Sequence, residues 1–375
     1  MPALDDILLQ KLQLLEARQL KRSLRETGSS GGVMVTRSSK TLISFSGNDY
    51  LGLSQHPDVV AAAKSALDQY GAGAGASRLV TGNHPLYAQL EAALASYKTT
   101  QAACVFGSGY LANLGTIPAL VGAGDLIVAD KFIHACMIDA ARLSGATVMR
   151  FAHNNLEHCR MLLTSARPEH HHCLILTETV FSMDGDRAPL SELATIAKEF
   201  DAWLMTDDAH GFGVLTEKHH ADIYMGTLSK AAGSYGGYVC GSQTLCDYLK
   251  TAARSLIYDT ALPPATVAAS LAAVKIIVTQ PELVKKPLQN AQYFTSLLGI
   301  KEAESAIVPL ILKETDKALQ ASAYLEEKGF LVAAIRPPTV PENTARLRFA
   351  FSAIHEKSQI EAVAAIIKEQ KWLES

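Results

Sequence analysis

The sequence has no C-x-x-C pair, no apolar run close to the ~20 residues a bilayer span requires, and no surplus of either charge. Each absence removes a class of function. The net charge of −3, from 34 Lys and Arg against 37 Asp and Glu, lacks the basic footprint of a nucleic-acid binder and leaves a small molecule as the default partner. The six scattered cysteines, Cys104, Cys136, Cys159, Cys173, Cys240 and Cys246, fit reduced, buried thiols, so neither disulfides nor zinc are expected. The His170-His171-His172 run and the His219-His220 pair fall in polar connecting segments without partner ligands at regular spacing, and no metal is expected there. The start, MPALDDILLQ, is acidic where a signal peptide would be basic, which makes a cytoplasmic location the expectation.

What is present is enough for more than one lobe. With 375 residues, 48% of them apolar, the chain exceeds the usual size of a single core. Leucines 9, 12, 15, 20 and 24 approximate one face of an amphipathic helix over residues 3 to 27, an arm expected to pack on something else. A Gly/Ser stretch, short strands and a helix from Pro57 to Tyr70 follow. The runs AACVF, DLIVAD, TVMRFAH, CLILTETVF, WLMTDDAHG, DIYMGTL and GGYVCGS then alternate with helical stretches up to about residue 245. Buried strands alternating with helices predict an α/β fold with a mostly parallel seven-stranded sheet covered on both faces. A long helical stretch from about 264 leads to a smaller α+β lobe with strands AIVPLIL, FLVAAIRPPTV and RLRFAFSAI and a helix from about 356. The expected division is an N-terminal helical arm with short strands (1–45), a large cofactor-binding domain (46–265) and a small C-terminal α+β domain (266–375).

Two strand ends carry the chemistry: WLMTDDAHG, with Asp207 and His210, and DIYMGTLSKAAGS, with Lys230. A lysine after a buried strand, behind a carboxylate and an imidazole at an earlier strand end, is the set that pyridoxal phosphate requires. Its aldehyde forms an imine with an amine, and its ring draws electrons from the amino acid α-carbon. Asp207 suits the protonated pyridine nitrogen, His210 the phenolic oxygen, and Lys230 serves as imine partner and then as general base. In FGSGYLANLG a strand runs through Gly107 and Ser108 into a helix, so the amides of Gly109 and Tyr110, with the Thr227 hydroxyl, are candidates for the phosphate. His134 should reach the same sheet edge and stack on the ring, and Ser182 in the ETVFSMDGD turn is a further ring contact. Arg346 and Arg348, two apart on a strand, share a face from which a guanidinium can fork onto a substrate carboxylate. GAGAGASR (71–78) nominally fits a dinucleotide fingerprint and a nicotinamide dehydrogenase, but follows a helix where that motif needs a strand. Residues 71 to 83 read instead as a flexible active-site loop or turn.

The segments NDYLGLSQHP, FGSGYLAN, FIHA, ETVFSMDGDRAPL, DDAHGFGV, TLSKAAG and IRPPTVPENTARLRFAFSAIHE together resemble the α-oxoamine synthases, pyridoxal-phosphate enzymes of the aspartate aminotransferase fold (fold type I). The resemblance runs from about residue 15 to the end. It implies that Lys230 bears the cofactor, with Asp207, His210, His134, Gly109, Tyr110, Ser182 and Thr227 around it. It places Arg25, Asn48, Thr339 and Arg348 against substrate, Arg348 taking the amino acid carboxylate. It also implies a homodimer with interface sites, in which Thr260 approaches the cofactor phosphate of the other subunit. The reaction implied is decarboxylative condensation of L-alanine with a pimeloyl thioester, on CoA or an acyl carrier protein, giving 8-amino-7-oxononanoate in biotin synthesis. IRPPTVP favours that activity over a sister such as 2-amino-3-ketobutyrate CoA ligase, which uses glycine and acetyl-CoA. The segment between His210 and Thr227 is shorter than is usual in the family and leaves acyl-chain preference open.

Overall fold

The computed structural model describes residues 3–18, 20–217 and 220–372. Its centre is a seven-stranded sheet whose spatial order is Ala102–Phe106, Gly237–Gly241, Ile223–Thr227, Trp203–Asp207, Cys173–Glu178, Leu126–Asp130, Thr147–Phe151. Gly237–Gly241 runs antiparallel to both neighbours, and the other pairings are parallel. All seven are the apolar runs read from the sequence. The inner strands are largely apolar because helices cover both faces: all six residues of Cys173–Glu178 are buried, as are all five of Leu126–Asp130, whereas the edge strand Thr147–Phe151 is mostly exposed. The six cysteines are free and buried in this region.

Local signals fix several helix ends. Pro57 opens the helix Pro57–Tyr70 at its first turn, the His56 side chain accepts from the Asp58 amide, and Gly71, at φ 80°, stops it. Ser108 caps Gly109–Leu120 by accepting from the Leu111 amide. A β-carbon on Gly237 would lie 2.3 Å from the Ser108 carbonyl, so only glycine lets this strand pack against the start of that helix.

A second, antiparallel sheet of three strands is built from Ile307–Lys313, Ala345–Ala350 and Ala333–Ile335, with Ala345–Ala350 in the middle. Its core joins Phe45 to Phe294, Phe330, Phe349 and Phe351. The short strands Gly28–Ser29, Met34–Arg37 and Lys40–Ser44 form a further sheet with Phe330–Leu331.

Four local expectations are corrected. The N-terminal helix spans Leu4–Ala17 and not 3–27, and none of its side chains is buried within the chain. A helix this short with no buried face has little to extend it, and the chain turns where the Leu20 amide bonds the Leu15 carbonyl. The helical stretch from 264 is two helices, Pro264–Thr279 and Pro281–Leu298, meeting at 83°, because a residue ahead of proline is pushed from helical backbone. FLVAAIRPPTV divides into Phe330–Leu331 and Ala333–Ile335, which belong to different sheets with Val332 buried between them.

The fourth concerns residues 71 to 83, which are pinned in place. Arg78 bonds Glu91, the Val105 carbonyl and Asn83 and lies 4.0 Å from the Tyr87 ring centre, inside a π-helical turn over Arg78–Gly82. Among the described residues no single helix is long and apolar enough to cross a membrane.

Candidate active site

Parallel strands put their carboxyl ends along one edge, where an open α/β sheet binds ligands. Asp130, Glu178, Asp207 and Thr227 each end a strand on that edge. A pocket of about 280 Å³ lies there, lined by seven residues singled out from the sequence: Gly109, Tyr110, His134, Asp207, His210, Thr227 and Lys230.

Lys230 Nζ is 2.8 Å from His210 Nε2. Burial lowers the lysine pKa and Arg348 adds to this, against the pull of Asp207 and Glu178. His210 is driven well below the ordinary imidazole value by burial and by Lys230 and Arg348, and is neutral. Behind the pocket Asp207 accepts from Asn113 Nδ2 at 2.9 Å and from the Ala209 amide at 2.9 Å, which fixes its plane. His134 caps the helix Ala135–Ser144, its Nδ1 accepting from the Cys136 amide at 3.2 Å. Thr227 Oγ1 lies 2.7 Å from Ser229 Oγ and donates to the Gly236 carbonyl.

Arg348 is buried beside this pocket. Its Nε donates to the Ser182 carbonyl at 2.5 Å and its Nη2 to Asn48 Oδ1 at 3.3 Å. Ser182 thus contributes its backbone to Arg348, and its side chain does not line the lysine pocket. Arg346, on the same face, bonds Asp184 and the Met183 carbonyl, so the pair grips one turn from two points.

Three expected residues lie apart. Arg25 and Thr339 line a separate cavity of about 820 Å³ between the N-terminal arm and residues 334–339. Arg25 there approaches Glu326 at 3.4 Å. Thr260 lines a recess with Arg78, Tyr87 and Asp259. His170 and His172 are structural: His170 Nδ1 bonds the Ala166 carbonyl, and His172 stacks on Trp203. His219 lies outside the described residues. No group of three or more His, Cys, Asp or Glu is arranged to hold a metal among those described.

Sequence reasoning missed three participants. Tyr50 places its hydroxyl 2.6 Å from His210 Nδ1, Asn113 orients Asp207, and Glu178 is buried in the pocket with Oε1 unpartnered and its pKa well above normal through burial and the nearby Asp207. Tyr50 and Asn113 stand in quoted motifs, NDYLGLSQHP and FGSGYLAN, yet their roles depend on contacts across 160 and 94 residues.

The donor set fits pyridoxal phosphate. A β-carbon on Gly109 would crowd Thr227 at 3.3 Å, so glycine keeps the helix N-terminus and its free amides open to an anion. Acidic groups lie deeper, a neutral imidazole and an amine of lowered pKa flank the cavity, and His134 borders it.

Comparison with known proteins agrees with this geometry. Residues 40–367 match the model of the aminotransferase class I and II family. An 8-amino-7-oxononanoate synthase of Methylobacterium nodulans is 54% identical over 368 residues, covering 98% of this chain and 97% of the relative. The chain belongs to the 8-amino-7-oxononanoate synthases. Among solved structures, serine palmitoyltransferase from S. paucimobilis, with a PLP–myriocin adduct bound, superposes with a TM-score of 0.90 at 29% identity, covering 97% of this chain and 96% of that one. An 8-amino-7-oxononanoate synthase from Francisella tularensis gives 0.75 at 30% identity, covering 89% of this chain and 99% of that one. The fold is therefore that of the PLP enzymes of fold type I.

Proposed function

We propose that this chain condenses L-alanine with a pimeloyl thioester to give 8-amino-7-oxononanoate, CO₂ and the free thiol, an acyltransferase step of biotin biosynthesis that depends on pyridoxal phosphate. The observation that carries the reading is an amine of lowered pKa, Lys230, held against neutral His210 beside the buried Arg348, in a chain more than half identical along its length to a synthase of that product.

When bound, pyridoxal phosphate supplies an aldehyde for amines and a ring that withdraws electrons from the carbon next to nitrogen. The amides of Gly109 and Tyr110 would hold the phosphate, joined by the Thr227 hydroxyl once it turns from the Gly236 carbonyl, and Asp207 would hold the ring nitrogen. His210 would hold the phenolic oxygen and His134 one face of the ring. The guanidinium of Arg348 receives the alanine carboxylate, with Asn48 beside it, and so orients the α-carbon. Lys230 takes the α-proton, and burial favours this role because a lowered pKa raises the share of the amine that carries a free lone pair. The carbon so exposed attacks the thioester carbonyl, the thiol leaves, and loss of CO₂ from the resulting β-keto acid is followed by reprotonation.

The enzyme acts as a cytoplasmic homodimer on this reading. Leu4, Leu8, Leu9, Leu12 and Leu15 of the arm, exposed in the single chain, suit a surface that a second copy covers. Thr260, which lines a recess distinct from the lysine pocket of its own subunit, then serves the partner's phosphate site.

Thiol release from acetyl, pimeloyl and palmitoyl thioesters, each offered with alanine, glycine and serine, tests the reading. Alanine with the pimeloyl thioester is expected to dominate, and the Lys230→Ala variant to release none. Preference for glycine with acetyl-CoA, or for serine with palmitoyl-CoA, would overturn the assignment and keep the fold.

A further inference from the structure

A line of polar groups, with Tyr50, His210 and Arg348 buried and Lys230 and Asn48 half-buried, runs from the lysine to the arginine. Lys230 Nζ lies 2.8 Å from His210 Nε2, and His210 Nδ1 lies 2.6 Å from the Tyr50 hydroxyl. That hydroxyl is 3.3 Å from Asn48 Oδ1, which also accepts from Arg348 Nη2 at 3.3 Å. Tyr50 is 1% exposed, and burial raises its pKa, so the phenol keeps its proton. The hydroxyl can donate to Asn48 Oδ1 at 3.3 Å or, where His210 Nδ1 carries no proton, to that nitrogen at 2.6 Å, the shorter contact and the one taken as the donated bond. A neutral imidazole that accepts at Nδ1 must carry its proton on Nε2.

We propose that Tyr50 is a positioning residue that locks His210 in the Nε2–H tautomer, so that the imidazole donates toward Lys230 and toward whatever oxygen occupies that end of the pocket. The inference rests on the function proposed above and extends it. An Nε2–H donor stabilises Lys230 as the free amine, the form able to take a proton. It also presents a donor, and not a lone pair, to the phenolic oxygen of the cofactor. The chain ends on Asn48, so a carboxylate arriving on Arg348 acts on the same hydrogen-bonded line that orients the base. The other groups that bear on the lysine are Asp207, Glu178, Arg348 and Cys136, and on the histidine Arg348 and His134.

The test uses full-length protein labelled with ¹⁵N-histidine, with and without pyridoxal phosphate, as wild type and Tyr50→Phe. Long-range ¹H–¹⁵N spectra report the His210 tautomer. The pH dependence of Lys230 acetylation in the cofactor-free chain, followed by mass spectrometry, reports the amine. Wild type is expected to show His210 protonated on Nε2. In Tyr50→Phe that preference is lost and the acetylation midpoint rises by about one pH unit, a tenfold fall in free amine at fixed pH below it. Unchanged tautomer and midpoint in a variant that melts like wild type overturn the proposal. Wild-type His210 protonated on Nδ1 overturns it even where the variant does not fold. These readouts need no substrate, so an enzyme that ignored alanine would refute the proposed function and leave this inference standing.

Discussion

His153→Gln is a measurable perturbation away from the lysine pocket. His153 Nδ1 lies 3.0 Å from Asp130 Oδ1, and Nε2 lies 2.8 Å from Asp186 Oδ2, with the Phe181 ring edge-on at 4.4 Å. The imidazole therefore bridges the end of a central strand to the turn whose Ser182 and Met183 carbonyls and Asp184 carboxylate hold Arg348 and Arg346. Burial alone would lower its pKa, but the bonds to Asp130 and Asp186 outweigh it and raise the value from 6.5 to about 10. A shift of that size has a ceiling of ~5 kcal/mol, and solvent screening of a partly exposed side chain leaves about 2 kcal/mol.

The folded-state pKa lies above the unfolded one. The stabilisation is therefore complete below pH 6.5, declines as pH rises, and is gone once pH passes about 10. Thermal melts at fixed scan rate should place His153→Gln about 2–3 °C below wild type at pH 6, given the unfolding entropy of a chain this long. The gap should shrink through pH 8 and close near pH 10. A gap as wide at pH 10 as at pH 6 would refute the charged bridge and leave only lost packing.

Two further outcomes follow from buried charge. Arg348→Lys gives up the Nε bond to Ser182 and the fork geometry, so the KM for alanine should rise roughly 10- to 100-fold, the equivalent of about 1.5–3 kcal/mol, with kcat changing less. Steady-state kinetics with a saturating thioester measures this, and an unchanged KM would remove Arg348 from the carboxylate site. Lys98→Met strands Asp208, which is 2% exposed and paired with Lys98, at a cost of about 3–5 kcal/mol. Soluble yield and melting temperature should fall, and Lys98→Met/Asp208→Leu should recover much of the loss; a single variant as stable as wild type would contradict the pairing.

The mostly parallel sheet was legible because burial on both faces leaves its inner strands largely apolar, and the lysine pocket because its groups sit where those strands stop. The arm, the bend at Pro281 and the split at Val332 were not, for the physical reason that each depends on a neighbour. Leu20 and Leu24 continue a leucine pattern but leave the helix, none of whose own side chains is buried among the described residues. Val332 sits mid-run, yet its flanks pair with strands far away in sequence. The glycines of 71–78 suggested mobility, whereas Arg78 at the end of that run ties it to Glu91 and Val105.

The DDAHG segment marks the limit of local reading most sharply. Two adjacent carboxylates at a strand end are chemically alike, and nothing within the motif says which meets the cofactor. Alternation along the strand sends neighbouring side chains to opposite sides, so at most one can serve the pocket. Asp207 goes to Asn113 and the lysine side, whereas Asp208 goes to Lys98. Tyr238, its hydroxyl unpartnered, feels the Asp208 charge there, and its phenol is pushed well above its usual pKa chiefly by burial. Lys98 neutralises the second carboxylate locally, and burial, which opposes it, fails to prevent a raised lysine pKa. The pair therefore divides into one carboxylate facing the cofactor pocket and one internal counter-ion. The residues that make the division, Asn113 and Lys98, stand about a hundred positions upstream.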